Sequence, residues 1–325
     1  MKLPRRHFLH LAAGAAALPV ASRIARAQAY PTRPVRIVVG FPAGGATDIT
    51  ARLMAQWLSD RLGQQFVTEN RPGAAGTIAA EAVVKAAPDG YTLLQIGTPN
   101  AINATLYTNL SFNFVRDIAP VGSITRVAYV VVVHPSVPAK TIPEFIAYAR
   151  ANPGKINMAS AGNGSVSHVA GELFVFMAGV KVVHVPYRGA APALTDLLGG
   201  QVELLFGAVT ASMPYVDAGK LRLLAVTTAA RSPLVPGIPA VSEFLPGYEA
   251  SAWYGIGAPR GTPAEIIDRL NAEINAGLAD PKLKARLADF GATGLAGSPA
   301  DLGKLIAEET EKWAKVIRFA NIKAE

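Results

Sequence analysis

The sequence predicts an α/β fold, a mostly parallel sheet with helices on its faces, organised as two sub-domains. Three observations point there. From residue 35 to residue 97, apolar β-branched runs alternate with amphipathic segments three times, the order expected of a parallel sheet with covering helices. A strand, a glycine-rich turn and a helix start occur in series at VRIVVGFPAGGATD, residues 35–48, and again at residues 156–165. The 325 residues, half of them hydrophobic, are enough for one large or two medium domains, each with its own core.

Residues 1–29 stand apart from this fold. Arg5 and Arg6 form a twin arginine, followed by His7, Phe8 and Leu9, a weakly apolar Ala-rich stretch, and the small-x-small signal Ala27-Gln28-Ala29. The pattern is that of a twin-arginine export signal cleaved after Ala29. The apolar run is too short for a membrane span and is broken by Gly14 and Pro19. The leader carries Lys2, Arg5, Arg6, Arg23 and Arg26, so its removal takes the 31 basic residues to 26 against 23 acidic ones, a net charge of +3. No clustered basic stripe remains, and no nucleic-acid partner is expected. With no Cys in the chain, disulfides, thiolate chemistry and Cys-based zinc sites are excluded.

In order, the first strand at 35–39 enters a turn that leaves the first N–H groups of a helix unpaired, at the positive end of its dipole. That is a ready site for an anion, and Gly44 and Gly45 let a ligand approach where a Cβ would block it. The helix is expected from Asp48 to Leu62-Gly63 with Ile49, Leu53 and Trp57 on its apolar stripe, beside Met54 and Leu58. A strand at 66–69, an Ala-rich helix at 77–86 closed by Pro88-Asp89-Gly90, and a strand at 92–97 follow. TPNAINATLY then starts another short helix. Ligands in such sheets bind beyond the carboxyl ends of the strands, where residues 40–47 and 98–100 sit.

The β-rich passage 118–133 reads as a crossing between sub-domains. Thr141-Ile142-Pro143-Glu144 opens a helix with a capping box, ending at Asn152-Pro153-Gly154. A strand at 156–159 runs into a helix from Ser165, with Val169, Leu173 and Phe176 or Met177 expected on its buried side. Strands at 182–186 and 221–227, helices at 190–198 and 214–218, and a turn and strand through LLGGQVELLFGAV complete this part. The Pro-rich residues 229–253 look like a surface return. A strand at 253–258 and helices at 263–278, 281–290 and 299–322 close the chain, their mixed charges marking a solvated surface.

Three chemistries fit poorly. GFPAGGAT has phosphate-loop spacing, but Ala46 stands where Lys is required, and no GxGxxG occurs. Ser165 and His168 lie three apart on one helix, yet no GxSxG elbow or partnering carboxylate is evident, so a hydrolase is the weaker alternative. His134, His168 and His184 show no i, i+4 pairing and no Cys lies nearby, so no metal is expected. What remains is a site of backbone N–H groups and hydroxyls. A carboxylate leaving water needs several such donors at once, and two helix N-termini supply them.

Taken in order, GFPAGGATDITARLMA, VTENRPGAAGTIAAEAVVKAAPDGYTLL, IAPVGSI, ASAGNGSVSHVAGELF, HVPYRGAAPALTDLLGGQVELLF, AGKLRLLAVTT and GAPRGTPAEIIDRLNAEI resemble the extracytoplasmic solute receptors of tripartite tricarboxylate transporters, the Bug family. The resemblance covers nearly the whole mature chain. It implies a two-domain type II periplasmic-binding-protein-like fold with the ligand cleft between the domains, residues 30–130 and 232–325 forming domain 1 and 131–231 domain 2. It implies a periplasmic, non-enzymatic, monomeric receptor without cofactor, which captures a small organic carboxylate by hinge closure and delivers it to membrane permease subunits. An orphan sensor would use the same cleft. Carried over residue by residue, the first grip is Phe41, Ala43, Gly44, Gly45 and Thr47, with Asp48 orienting the loop. The second is Ser160, Ala161, Gly162, Asn163, Gly164 and Ser165, with His168 one turn inward. Thr98, Asn100, Tyr187, Arg188, Gly189 and Ala208 line the remainder, with Arg188 open to a second carboxylate or to a surface or inter-domain role. Many relatives carry an acidic residue after the LLF strand, where Gly207 and Ala208 follow Phe206 here. That departure disfavours an amino-acid ligand and leaves room for a bulkier or more apolar acid.

Overall fold

The apolar runs of the first third become strands β1 (Val35–Val39), β2 (Phe66–Asn70) and β3 (Thr92–Gly97), with β1 parallel to both neighbours. The computed structural model describes residues 30–324; the expected export signal and its expected cleavage after Ala29 lie outside the described residues. Helices α1 (Ala46–Leu62) and α2 (Thr77–Val84) connect these strands. The sheet is completed by β4 (Ile118–Val127), β10 (Ala252–Pro259) and β11 (Ala292–Gly294), giving the order β11-β4-β10-β3-β1-β2. A second sheet holds β5 (Tyr129–Val133), β6 (Asn157–Ser160), β7 (Val183–Pro186), β8 (Leu204–Ala208) and β9 (Arg222–Val226), in the order β7-β6-β8-β5-β9.

Each sheet is mixed, where the sequence suggested a mostly parallel one. Strand β10 runs antiparallel to β3 and β4, and β5 antiparallel to β8 and β9. The reason lies in the crossings. Strand β4 hands the chain to β5 through Ala128 alone, and the return passage enters the first sheet as β10, so strands belonging to the connections pair beside the βα units.

The return is pinned from both sides. Ala250 N donates to Thr227 O (2.9 Å) and Thr227 Oγ1 donates to Ala250 O. One residue later, Thr98 Oγ1 donates to Ser251 O (3.4 Å) and accepts from Trp253 N (2.9 Å). Nearby, Glu249 pairs with Arg126 (2.7 Å) and Lys312 (2.8 Å). Burial alone would raise the Glu249 pKa, but Lys312 and Arg126 hold it below the usual range.

Residues Arg33–Glu325 form one compact unit. One apolar cluster joins Val38, Leu94 and Ile96 of the first sheet to Val131, Met158 and Phe206 of the second, with Trp253 and Trp313 fully buried in it, and another packs Val130, Val132 and Leu205 of the second sheet with Leu197. Helix α6 (Val166–Ala178) buries Val169 and Leu173 as its spacing predicts, but Phe174 is the aromatic inside. Phe176 is 51% exposed and packs on Phe319, ring centroids 4.5 Å apart, near the end of α11 (Pro299–Ala320). The capping box of α5 (Ile142–Ala151) is half made: Thr141 Oγ1 accepts from Glu144 N, while Glu144 accepts from Lys140 N.

Candidate functional site

The first turn leaves the C-terminal end of β1, which lies between two parallel neighbours. Gly40 has no room for a Cβ, which would lie 2.6 Å from Gly76 Cα, so the turn runs backbone to backbone against Gly76. The Phe41 ring lies over Gly76 and is half-buried. Ala43, Gly44 and Gly45 are exposed. Gly44 adopts φ +86°, a conformation that L side chains rarely take. Gly45 is the N-cap of α1 at φ −81°, and no side chain caps the helix there. The positive end of a 17-residue helix is therefore presented at an exposed loop. Thr47 is half-buried and hydrogen-bonded to the Tyr254 phenol.

Asp48 lies beneath the loop, 2% exposed. Its oxygens accept from Gly44 N (2.9 Å), Asn70 Nδ2 (2.8 Å) and Arg52 Nε (2.9 and 3.0 Å). Burial opposes its ionisation, yet these bonds outweigh burial and lower its pKa. It orients the loop.

The second turn is of another kind, because its own side chains already hold most of its N–H groups. Ala161 N donates to Ser167 Oγ (2.9 Å), Gly162 N to Ser160 Oγ (3.1 Å) and Gly164 N to His168 Nδ1 (3.1 Å). Ser165 N donates to Gly162 O, and Ser165 Oγ caps α6 by accepting from His168 N. Ser160 is fully buried, with its Oγ 2.6 Å from His184 Nε2. The His184 and His168 rings stack 3.6 Å apart at 7°, and His168 Nε2 lies 3.6 Å from Glu172 Oε1. Burial, with His168 against it, lowers the His184 pKa to about 4. Asn163 is exposed at the tip of this turn. A Cβ at Gly164 would meet Leu106 Cδ2 at 2.5 Å, so the turn lies against α3 (Thr98–Leu106), the helix that follows β3.

Sheet register gathers the other second-sheet residues at the same edge. Strands β7, β6 and β8 are parallel neighbours, so Tyr187, Arg188 and Gly189, residues 160–165, and Ala208 all lie at or just past strand carboxyl ends. Tyr187 N donates to Ser160 O (3.0 Å), and Tyr187 OH donates to Asp196 Oδ2 (2.6 Å). Burial and then Asp196 push that phenol up to about 12. Gly189 caps α7 (Ala190–Leu198) and Ala208 caps α8 (Val209–Asp217). Arg188 is exposed and, among the described residues, forms no ion pair.

Thr98 and Asn100 are placed differently from the sequence expectation. Thr98 is fully buried on the return segment, and Asn100 is buried with its Oδ1 accepting from Gly97 N (2.9 Å). Both spend their polar atoms on the fold. Sequence reasoning missed Asn70 and Arg52 around Asp48, His184 behind Ser160, and Asn103, whose Nδ2 donates to Ala75 O (2.7 Å) beside Gly76. The one available signal was the polar end of β2, GluAsn before Arg71-Pro72-Gly73. Among the described residues, no helix is long and apolar enough to cross a membrane.

Comparison with known proteins adds three findings. A family model described as a tripartite tricarboxylate transporter family receptor (TctC) matches residues 50–322. Protein BugT of Bordetella pertussis is 36% identical over 300 residues, 91% of this chain and 92% of its own length. Two solved structures from Rhodopseudomonas palustris superpose over most of the chain. Rpa4515 with adipate does so at TM-score 0.78 and 40% identity, covering 90% of this chain and 99% of that one. MatC with bound malate does so at TM-score 0.75 and 34% identity, covering 89% and 100%.

Proposed function

Because this chain belongs to the receptor family of tripartite tricarboxylate transporters, we propose that it is a periplasmic receptor that captures a small organic carboxylate and delivers it to membrane permease subunits. The observation that carries the reading is the first turn. It is exposed, it ends on an N-terminus that no side chain caps, and its nearest acid is turned inward and already bonded. An anion there gains backbone N–H donors and a helix dipole without needing a counter-ion.

The resemblance divides the chain into residues 30–130 with 232–325 and residues 131–231; β5 begins at Tyr129, and Val235 and Ala240 pack with the second sheet, so the crossings are better set at Ala128 and residues 250–251. Ligand is gripped by Phe41, Ala43, Gly44, Gly45 and Thr47 on one side and by the preformed turn 160–165, with His168 behind it, on the other. Closure about the crossings at Ala128 and residues 250–251 is favoured by a ligand that bridges both. Arg188 takes a second carboxylate, as suits dicarboxylates of the kind bound by Rpa4515 and MatC. Gly207 and Ala208 leave space at the far wall. The leader accounts for export by the twin-arginine route, and the receptor works as a monomer without catalysis: Ser165 is a helix cap here, with no role as a nucleophile.

A thermal-shift screen of residues 30–325 against mono-, di- and tricarboxylates and their amides tests the reading. An acid at about 100 times its Kd adds roughly 2.7 kcal/mol of stability. One acid class raising the midpoint while its amides do not supports the receptor. No shift from any acid, in protein unfolded and refolded to strip carried-over ligand, overturns it.

A further inference from the structure

The first turn is held from below by Asp48 at its own end and by Asn70 and Arg52 farther along the chain. At its start, Phe41 O accepts from Asn70 Nδ2 (3.0 Å), and at its apex Gly44 N donates to Asp48 Oδ2 (2.9 Å). The two anchors meet on one carboxylate, because the same Asn70 Nδ2 also donates to Asp48 Oδ1 (2.8 Å). Arg52 closes the arrangement: its Nε lies 3.0 and 2.9 Å from the two Asp48 oxygens, and its Nη2 donates to Asn70 Oδ1 (2.9 Å). Asn70 ends β2, one turn of α1 separates Asp48 from Arg52, and the group joins three elements at one point.

This geometry poses an electrostatic problem. Asp48 is 2% exposed and ionised directly below a loop read as receiving an anion. Two negative charges so close repel strongly where water is scarce. The loop needs Asp48 for its shape, so something must cancel its charge. Arg52 is placed to do so, and its guanidinium remains half exposed, so the cation keeps most of its hydration while its Nε reaches the buried oxygens.

We propose that Arg52 and Asn70 are positioning residues of the carboxylate site: Asn70 fixes the turn between Phe41 and Gly44, and Arg52 cancels the charge of the Asp48 that anchors it. Neither touches the ligand. The inference rests on the first turn being the anion site.

Titration calorimetry with adipate, on folded protein checked by circular dichroism, tests it on wild type and five variants. Arg52→Met weakens adipate binding about 10- to 100-fold, the scale of one charge-assisted hydrogen bond. Arg52→Lys, which keeps the charge, stays within about fivefold of wild type. Adding Asp48→Asn to Arg52→Met recovers most of the loss, because the uncancelled charge is gone. Asp48→Asn alone, which keeps an acceptor for Gly44 N, loses less than Arg52→Met. Asn70→Ala weakens binding about tenfold. A part that merely props up the fold would not be rescued by deleting its partner's charge. The proposal is overturned if Arg52→Met and Asn70→Ala bind like wild type, if the double variant binds no better than Arg52→Met, or if Arg52→Lys loses as much as Arg52→Met. Where Arg52→Met does not fold, Arg52→Gln takes its place in the same comparisons, with and without Asp48→Asn. Wild type binding neither adipate nor any acid of the screen counts instead against the receptor reading, and this inference falls with it.

Discussion

Gly45→Asp separates binding from stability more sharply than any other single change. Position 45 is the N-cap of α1 at φ −81°, ψ 166°, an ordinary extended conformation, and the nearest atom to an added Cβ is Pro42 O at 3.8 Å. The side chain fits without strain. Asp is a favoured N-cap, and replacing Gly there gains a few tenths of a kcal/mol, roughly, so the ligand-free protein melts at the same temperature or slightly higher. The same carboxylate takes the helix N–H groups that the ligand needs. At about 5 Å and an effective dielectric of about 20, two such charges repel by about 3 kcal/mol, more than about 100-fold in Kd. Gly45→Asn supplies the same cap without the charge and loses about 10-fold at most, by competition for the N–H groups alone. Calorimetry gives the affinity and a thermal melt the stability of each variant. A folded Gly45→Asp protein that binds its acid within about threefold of wild type refutes the anion grip.

Three further outcomes follow from the structure. Thr98→Val leaves the buried Trp253 N–H without its hydroxyl acceptor and costs about 1–3 kcal/mol, seen as a lowered melting midpoint, while affinity is unchanged. A large affinity loss with an unchanged midpoint would return Thr98 to the ligand site. The folded-state pKa of His184, about 4, lies below its ordinary 6.5, so the unfolded chain binds more protons between those values. Stability is then full above pH 6.5 and declines as pH falls toward 4; His184→Gln flattens that part of a melting-midpoint profile, and an unaltered profile contradicts the assignment. Gln95 buries both amide atoms without a partner, so Gln95→Leu, which removes the unmet polar groups, raises the midpoint by a few degrees, an expectation of about 1 kcal/mol; a lowered midpoint in scanning calorimetry contradicts it.

Local chemistry was legible wherever one element carried its own signals. β3 at 92–97 and α7 at 190–198 read to the residue, bounded by Asp89-Gly90 and by Gly189 and Gly199. The α1 start that the sequence suggests, Asp48, lies two residues late, because Thr47 and Asp48 look like caps while the actual cap, Gly45, offers no side chain. At the end of the α6 face the sequence leaves Phe176 or Met177 open: Met177 packs half-buried against the core, Phe176 is exposed, and Phe174, equally suited to an apolar stripe, is the aromatic that packing buries. β11 has three residues and exists through its pairing with β4. The break at Ala128 carries neither Gly nor Pro. The two turns stood out as glycine-rich strand-to-helix junctions, but how they are held did not. Asn70 lies 22 residues from Asp48 and His184 lies 24 from Ser160, contacts made by strand order, which no local pattern specifies. Thr98 follows a strand end, where a wall of the site is expected, yet its partner Trp253 is 155 residues away.

The proposed function depends on whether a ligand carboxylate sits on the first turn. The most direct measurement is a crystal structure of residues 30–325 with adipate. One carboxylate is expected within hydrogen-bonding distance of the N–H groups of residues 45–47, with Asp48 still bonded to Arg52 beneath it. Adipate bound with both carboxylates away from that turn, or seated in the apolar groove of Met213, Val216, Leu234 and Ile238, would contradict it.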